Sequence, residues 1–150
     1  MDRESFIRYL ENTVSEKIQL LQNEIEQLRL DISVDSKSTA GDKHETSRAM
    51  TQLEMEKLGN QFLEYQKQLK WIKQLGSIAH NSSDTVGIGS LIQLTNGWYF
   101  LGLGIGKIIF ENKTVFCISL RSPLGKQLFN KKIGQEINLP NLNLTIEFVN

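Results

Sequence analysis

Two narrow apolar stripes run through the first half of the chain. Ile7, Leu10, Val14, Ile18, Leu21, Ile25, Leu28 and Ile32 follow one another at spacings of 3, 4, 4, 3, 4, 3 and 4 residues. This is a heptad pattern with one stutter near Val14–Ile18, and no Gly or Pro interrupts it. Residues 44–75 repeat it with Met55, Leu58, Phe62, Tyr65, Leu69 and Ile72, spaced 3, 4, 3, 4 and 3. Gly59 sits inside this second helix and weakens it by ~1 kcal/mol relative to Ala. Lys67, Lys70 and Lys73 precede Gly76. That order predicts a helix stop at Gly76 with cations facing the negative end of the dipole. A helix with a single apolar stripe needs a partner. Two stripes of similar length with a short connection predict an antiparallel helical hairpin over residues 1–76, its tip at about 33–43. Roughly 30 residues at 1.5 Å rise make each arm about 45 Å long. The alternative is that each stripe pairs with another chain in a dimeric coiled coil.

The pattern changes period after residue 84. Ser90–Leu94 runs into Asn96-Gly97, a hairpin turn signal, and Trp98–Leu101 continues as the return strand. Lys107–Phe110 and Thr114–Ile118 flank Glu111-Asn112-Lys113 as a second hairpin. Ser122 then caps a short helix with Pro123 at its first position. A strand follows over Glu136–Leu139. After a turn at Pro140-Asn141, a last strand runs Leu144–Val149 with Leu144, Ile146 and Phe148 on one face. Residues 85–150 therefore predict a small α+β domain: a curved antiparallel sheet with one short helix against it. The stretch 77–84 is small, polar and turn-prone, and reads as the linker.

Composition sharpens this division. The chain has 150 residues, with apolar types at 39% and charged types at 23%, which excludes collagen and a polar disordered chain. Residues 1–76 carry 13 acidic and 11 basic side chains, and residues 77–150 carry 4 and 6, so the halves are −2 and +2 and the whole is neutral. A neutral chain is not held to duplex nucleic acid by its overall field. Cys117 is the single cysteine, which excludes an intrachain disulfide and a cysteine-rich zinc site, and its apolar neighbours predict a buried, inert thiol. The N-terminus lacks a signal-peptide pattern and no apolar window approaches membrane-spanning length, so a soluble cytoplasmic protein is expected.

Candidate chemistry is sparse. There is no nucleophile elbow, P-loop or dinucleotide fingerprint, and Gly102–Gly106 lacks the spacing of a phosphate cradle, so a loop or bulge is expected. His80 has no partner Cys or His at metal-ligand spacing, and Trp71 and Trp98 read as packing residues. Asp42 and Glu45 at the start of the second helix fit a capping box.

The order of these features resembles the bacterial Gre transcript-cleavage factors. The resemblance rests on Ile118-Ser119 before Ser122-Pro123-Leu124-Gly125, on Lys131-Lys132-Ile133-Gly134-Gln135 about nine residues on, and on Gly41-Asp42-Lys43-His44-Glu45 at the hairpin tip. It covers almost the whole chain in the right order. It implies a coiled-coil arm on an FKBP-like globular domain. It further implies docking on RNA polymerase at the secondary channel through Ser122, Pro123 and Leu124, with the tip reaching the active centre. There Asp42 and Glu45 would help to hold a Mg²⁺ shared with the polymerase, and the polymerase's own active site would cut backtracked RNA. Lys37, Lys43 and Arg48 would form a basic surround for the RNA 3′ region, and His44 contacts phosphate or sits in solvent. DNA would be met only indirectly, through the elongation complex. The protein would be a monomer without an autonomous active site or membrane contact. Two alternatives stand beside this: a regulator or inhibitor that occupies the channel without cleavage, and a coiled-coil-tethered FKBP-like isomerase or chaperone.

Overall fold

The computed structural model describes residues 1–35, 42–78 and 84–150. Two long helices come first, α1 (Arg3–Asp35) and α2 (Asp42–Ser77). Six strands and a short helix follow: β1 (Leu91–Leu94), β2 (Gly97–Gly102), β3 (Gly106–Phe110), β4 (Lys113–Ser119), α3 (Pro123–Leu128), β5 (Glu136–Leu139) and β6 (Leu142–Val149). The fold class is the expected α+β one. The chain divides into two compact units, residues 12–70 and residues 1–11 together with 71–150.

Within residues 12–70 the helices pair through the two stripes. From Val14 to Ile32 on α1, and from Met55 to Leu69 on α2, every stripe residue is buried or half-buried, while nearly all the residues between them are exposed. The Lys17 ammonium lies 5.4 Å from the Tyr65 ring centroid. Further along α1, Ile25 shares a groove with Phe62. Rising numbers on α1 meet falling numbers on α2, so the pairing is antiparallel and each stripe is covered by its own chain.

In the second unit the six strands form one sheet in the order β3-β4-β2-β1-β6-β5. One face carries Ile92, Leu94, Tyr99, Leu101, Leu144 and Ile146, closed over by Leu128 of α3 and by Val86. Alternation sends Phe100, Val115 and Cys117 to the other face. The first turns of α1 cover that face: Phe6 meets Phe100 and Phe110 edge-on, at 5.2 and 5.4 Å between ring centroids. Leu75 of α2 packs against Gly102 so closely that a Cβ there would sit 3.0 Å from its methyl. Phe6 and Leu75 lie just beyond the predicted stripes, and both are fully buried.

Arg3 joins these pieces. Its Nε donates to the Gly89 carbonyl at 2.7 Å and its Nη2 to the Leu75 carbonyl at 2.8 Å. The Leu75 carbonyl lies in the last turn of α2, where helix carbonyls have no partner within the helix. Burial draws the Arg3 guanidinium below its ordinary pKa. This corrects the expected helix stop. The last turn of α2 contains no basic residue, and the helix passes through Gly76 to Ser77. The cation at its negative end comes from the first turn of α1 instead.

Other expectations change as well. The sheet is mixed, not antiparallel, because β2 and β4 pair in parallel. The second hairpin inserts with β4 inward and β3 at the edge: β4 buries Val115 and Cys117, whereas β3 carries exposed Gly106 and Lys107, residues suited to an edge. In the first hairpin Leu94 pairs with Gly97, so the turn residues are Thr95-Asn96 rather than Asn96-Gly97. Gly97 absorbs the twist with φ +146°. Phe148 does not share a face with Leu144 and Ile146. A bulge at Glu147 pairs Gln93 with Phe148 but Leu94 with Ile146, which turns Phe148 over to meet Trp98 at 5.9 Å. The turns at Glu111-Asn112 and Pro140-Asn141 form as expected, with positive φ at Glu111, Asn112 and Asn141. Trp71, read as a packing residue, is 38% exposed.

Candidate functional site

The strand-to-helix junction after β4 is built around one carbonyl. Ser119 C=O accepts from the Ser122 backbone N–H at 3.1 Å and from the Ser122 hydroxyl at 2.7 Å. The same hydroxyl oxygen accepts from the Gly125 N–H at 3.0 Å, so Ser122 is the N-cap of α3 as its sequence predicts. Pro123 occupies the first turn. Gly125 is required by space: a Cβ on it would lie 2.2 Å from the Ser119 oxygen and 2.8 Å from the Ser122 Oγ. The Ser-Pro-Leu-Gly sequence is thus the formula of a tight corner. Of the three residues expected to contact a partner, Ser122 spends its hydroxyl on the corner, Leu124 leans half-buried on the core, and Pro123 is exposed.

The segment after α3 is pinned just as closely. Asn130 takes φ +63° and donates its N–H to Val86 C=O at 2.9 Å. Val86 N–H returns a bond to Lys131 C=O at 2.7 Å, and Ile133 N–H reaches Asp84 C=O at 3.0 Å. Gly134, at φ +83°, donates to Ile146 C=O at 2.7 Å, and the Gln135 side chain accepts from Lys132 N–H at 2.8 Å. The Lys-Lys-Ile-Gly-Gln run is therefore a turn tied to two separate segments, residues 84–86 and β6.

Together these two stretches present a surface that is basic and partly apolar. Pro123, Lys126 and Phe129 recur at three-residue spacing and are all exposed, as are Arg121, Lys132 and Ile133. No acid occurs between Glu111 and Glu136. None of Arg121, Lys126, Lys131 or Lys132 is in an ion pair among the described residues. Phe129 and Ile133, 38% and 40% exposed, were not singled out by the motif. Their signal is only two apolar residues flanking a Lys-Lys pair.

The tip is described in part. Lys37 lies outside the described residues, as does His80, and the side chains of Asp42, Lys43 and His44 lie outside them too. The α2 backbone starts at Asp42, so Asp42 and Glu45 both fall at the opening of the helix, where its dipole favours negative charge. Glu45 and Arg48 are exposed, three residues apart, and neither is in an ion pair among the described residues. Among the described residues no three His, Cys, Asp or Glu side chains converge to hold a metal. Cys117 is 2% exposed, and burial pushes its thiol up to about 12, which makes it a poor nucleophile. No helix among the described residues is long and apolar enough to cross a membrane.

A hairpin of two long helices followed by a mixed sheet with one capped helix thus defines the class of fold. No protein-family model matches the chain, and no curated protein is significantly similar to it. Among solved structures it is similar to the GreA factor homolog 1 (Gfh1) protein of Thermus thermophilus, at 14% identity over 98% of this chain and 94% of that one, with a TM-score of 0.36. It is also similar to Gfh1 of Thermus aquaticus, at 17% identity over 87% and 92%, with a TM-score of 0.34. At these values the likeness assigns neither an activity nor a partner to the chain.

Proposed function

We propose that this protein is a transcription elongation factor of the Gre type, which docks on RNA polymerase and stimulates Mg²⁺-dependent cleavage of backtracked RNA. The observation that supports the reading most is the corner at Ser119–Gly125. There the residues that carry the family resemblance are the ones the local geometry needs, and they leave Pro123 and Lys126 rigidly displayed.

Docking would use the basic and apolar surface of α3 and the following turn. At the other locus, Asp42 and Glu45 would act from the opening of α2. Glu45 is an exposed carboxylate with no ion pair among the described residues; Mg²⁺ is commonly held by one or two carboxylates together with water. A second metal in phosphodiester hydrolysis activates the attacking water and neutralises charge at the leaving oxygen. In this reading the two acids hold the ion jointly with the polymerase, and Lys37, Lys43 and Arg48 orient the RNA 3′ region by its phosphates. Localisation in the cytoplasm follows from that partner.

A second reading is a channel-occupying regulator without cleavage. It is favoured by Lys43 and His44, which place positive charge between the two acids, and by the absence of any acid between Glu45 and Glu54. One experiment separates the two. A stalled, backtracked elongation complex is incubated with the protein and Mg²⁺, and RNA length is followed. Shortening from the 3′ end, largely lost in Asp42→Asn and in Glu45→Gln while polymerase binding persists, supports cleavage. Binding without shortening selects the second reading, and no binding refutes both.

A further inference from the structure

β3 ends the six-stranded sheet and pairs with β4 alone among the described residues. The hairpin that joins the two closes with Phe110 opposite Lys113 across Glu111-Asn112, both at positive φ, the two-residue turn that suits the twist of a hairpin. In such a hairpin the closing pair exchanges both of its backbone bonds, and bonded and non-bonded pairs then alternate. Gly106, Ile108 and Phe110 therefore turn their N–H and C=O groups toward β4. Lys107 and Ile109 turn theirs outward, and neither makes a backbone hydrogen bond to another segment among the described residues.

The side chains beside this open edge are exposed as well. Lys107 stands opposite Phe116 and Ile109 opposite Thr114, so all four share the face of the sheet that carries Tyr99. Ile109 is 53% and Phe116 39% exposed, and the Phe116 ring leans on Tyr99 at 5.4 Å between centroids. Apolar surface thus adjoins outward backbone groups, and an added strand covers both at once. The opposite edge differs: β5 has four residues and runs straight into Pro140, which has no N–H. β3 contains no proline, and its register with β4 runs without a bulge.

Charge decides which strand fits. Lys107 is exposed and in no ion pair among the described residues. The other cation of the hairpin, Lys113, lies on the opposite face, 5.5 Å from the Trp98 ring centroid. A lysine at an edge disfavours a like-charged strand laid against it and favours one that brings an acid to the facing position.

We propose that the β3 edge binds an extended acidic-apolar segment of another protein, added antiparallel to the sheet. Lys107 and Ile109 would each exchange two backbone bonds with the residue opposite. The segment carries an apolar side chain opposite Ile109, where it also covers Phe116, and an acid opposite Lys107. Because the added strand runs against β3, its sequence reads apolar-any-acid from N to C. Neither Pro123 nor Lys126 takes part, so the site is independent of the proposed polymerase contact.

Titration of the full chain with the peptide Ser-Thr-Ile-Thr-Glu-Thr-Ser, followed by the backbone amide resonances, tests this, with Ser-Thr-Ile-Thr-Lys-Thr-Ser as the control. The expected result is a saturable shift and slowed hydrogen exchange at the Lys107 and Ile109 amides, with about tenfold weaker binding of the control peptide. Lys107→Glu should invert that preference. Ile109→Pro removes an outward N–H but no bond to β4, so that variant should fold and lose the binding. If it does not fold, the inverted preference of Lys107→Glu decides. A response that does not saturate, shifts centred away from β3, a preference that Lys107→Glu leaves unchanged, or binding that survives in folded Ile109→Pro overturns the proposal. So does protection of these amides without peptide that rises with protein concentration, since the occupant is then a second copy of the chain.

Discussion

At the scale of single residues, two glycines with opposite surroundings make a direct comparison. A methyl group at position 125 would collide with a backbone oxygen 2.2 Å away, and neither strand nor helix cap can yield without losing hydrogen bonds. Gly125→Ala should destabilise the protein by about 3 kcal/mol. At Gly59, within α2, nothing lies within 4 Å of the added methyl, so Gly59→Ala should stabilise by ~1 kcal/mol. Urea unfolding of both variants checks the pair. Asp2 gives a pH signature. Its carboxylate accepts from the Ser5 N–H at 2.8 Å at the head of α1, and hydrogen bonds from the Ser5 side chain and backbone hold its pKa below the ordinary 3.8. A lowered folded pKa means a contribution that is present above the unfolded value and is lost as pH falls through the folded one. The melting-temperature gap between the parent and Asp2→Ala should therefore be full at neutral pH and close in strong acid. Asp2→Asn should keep most of the stability without that dependence, because Asn caps about as well. The need for Gly at 125 was invisible beforehand, since it arises from a carbonyl six residues upstream.

At the scale of elements, local signals and long-range ones parted company. The N-cap and first position of α3 were legible because a Ser-Pro pair acts on its own turn. The first β turn was displaced by one residue, because strand pairing from Leu94 to Gly97 outweighed the preference of Asn-Gly for the central positions. The fate of Phe148 was illegible, since a bulge reverses alternation without any mark in composition. In the proposed reading docking falls on α3, and the burial of each residue there separates effects on binding from effects on folding. Leu124 leans on the core, so a charge there would test folding rather than binding. Pro123→Ala combined with Lys126→Glu alters only exposed positions. Titration against RNA polymerase should show about tenfold weaker binding, with a near-parental melting temperature. Unchanged affinity would place the contact elsewhere.

For the molecule as a whole, the pairing of the two stripes within one chain has a measurable consequence. An intermolecular coiled coil gains stability with concentration by mass action, whereas a hairpin does not. The helical signal and melting temperature should stay constant over a hundredfold range of protein concentration. A melting temperature that climbs with concentration would show that stripes pair between chains. The role of Arg3 belongs to this scale too. Its two bonds connect the start of α1, the end of α2 and the loop before β1, over separations of 86 and 72 residues.

Spacing along the chain is enough to specify the long helices, their seam, the capped corner at Ser122 and the period-2 strands. Each of these is written in spacings of three, four or two residues, and a helix turn or strand pleat reads those spacings locally. Long-range packing sets the rest: β4 lies inside β3, Phe148 turns away from Ile146, Gly125 admits no side chain, and Arg3 terminates a helix it is not part of. These outcomes depend on which distant backbone atoms come within hydrogen-bonding or van der Waals reach. That reach is set by the closing of the sheet and by the helix turns packed on it, not by any neighbour along the chain.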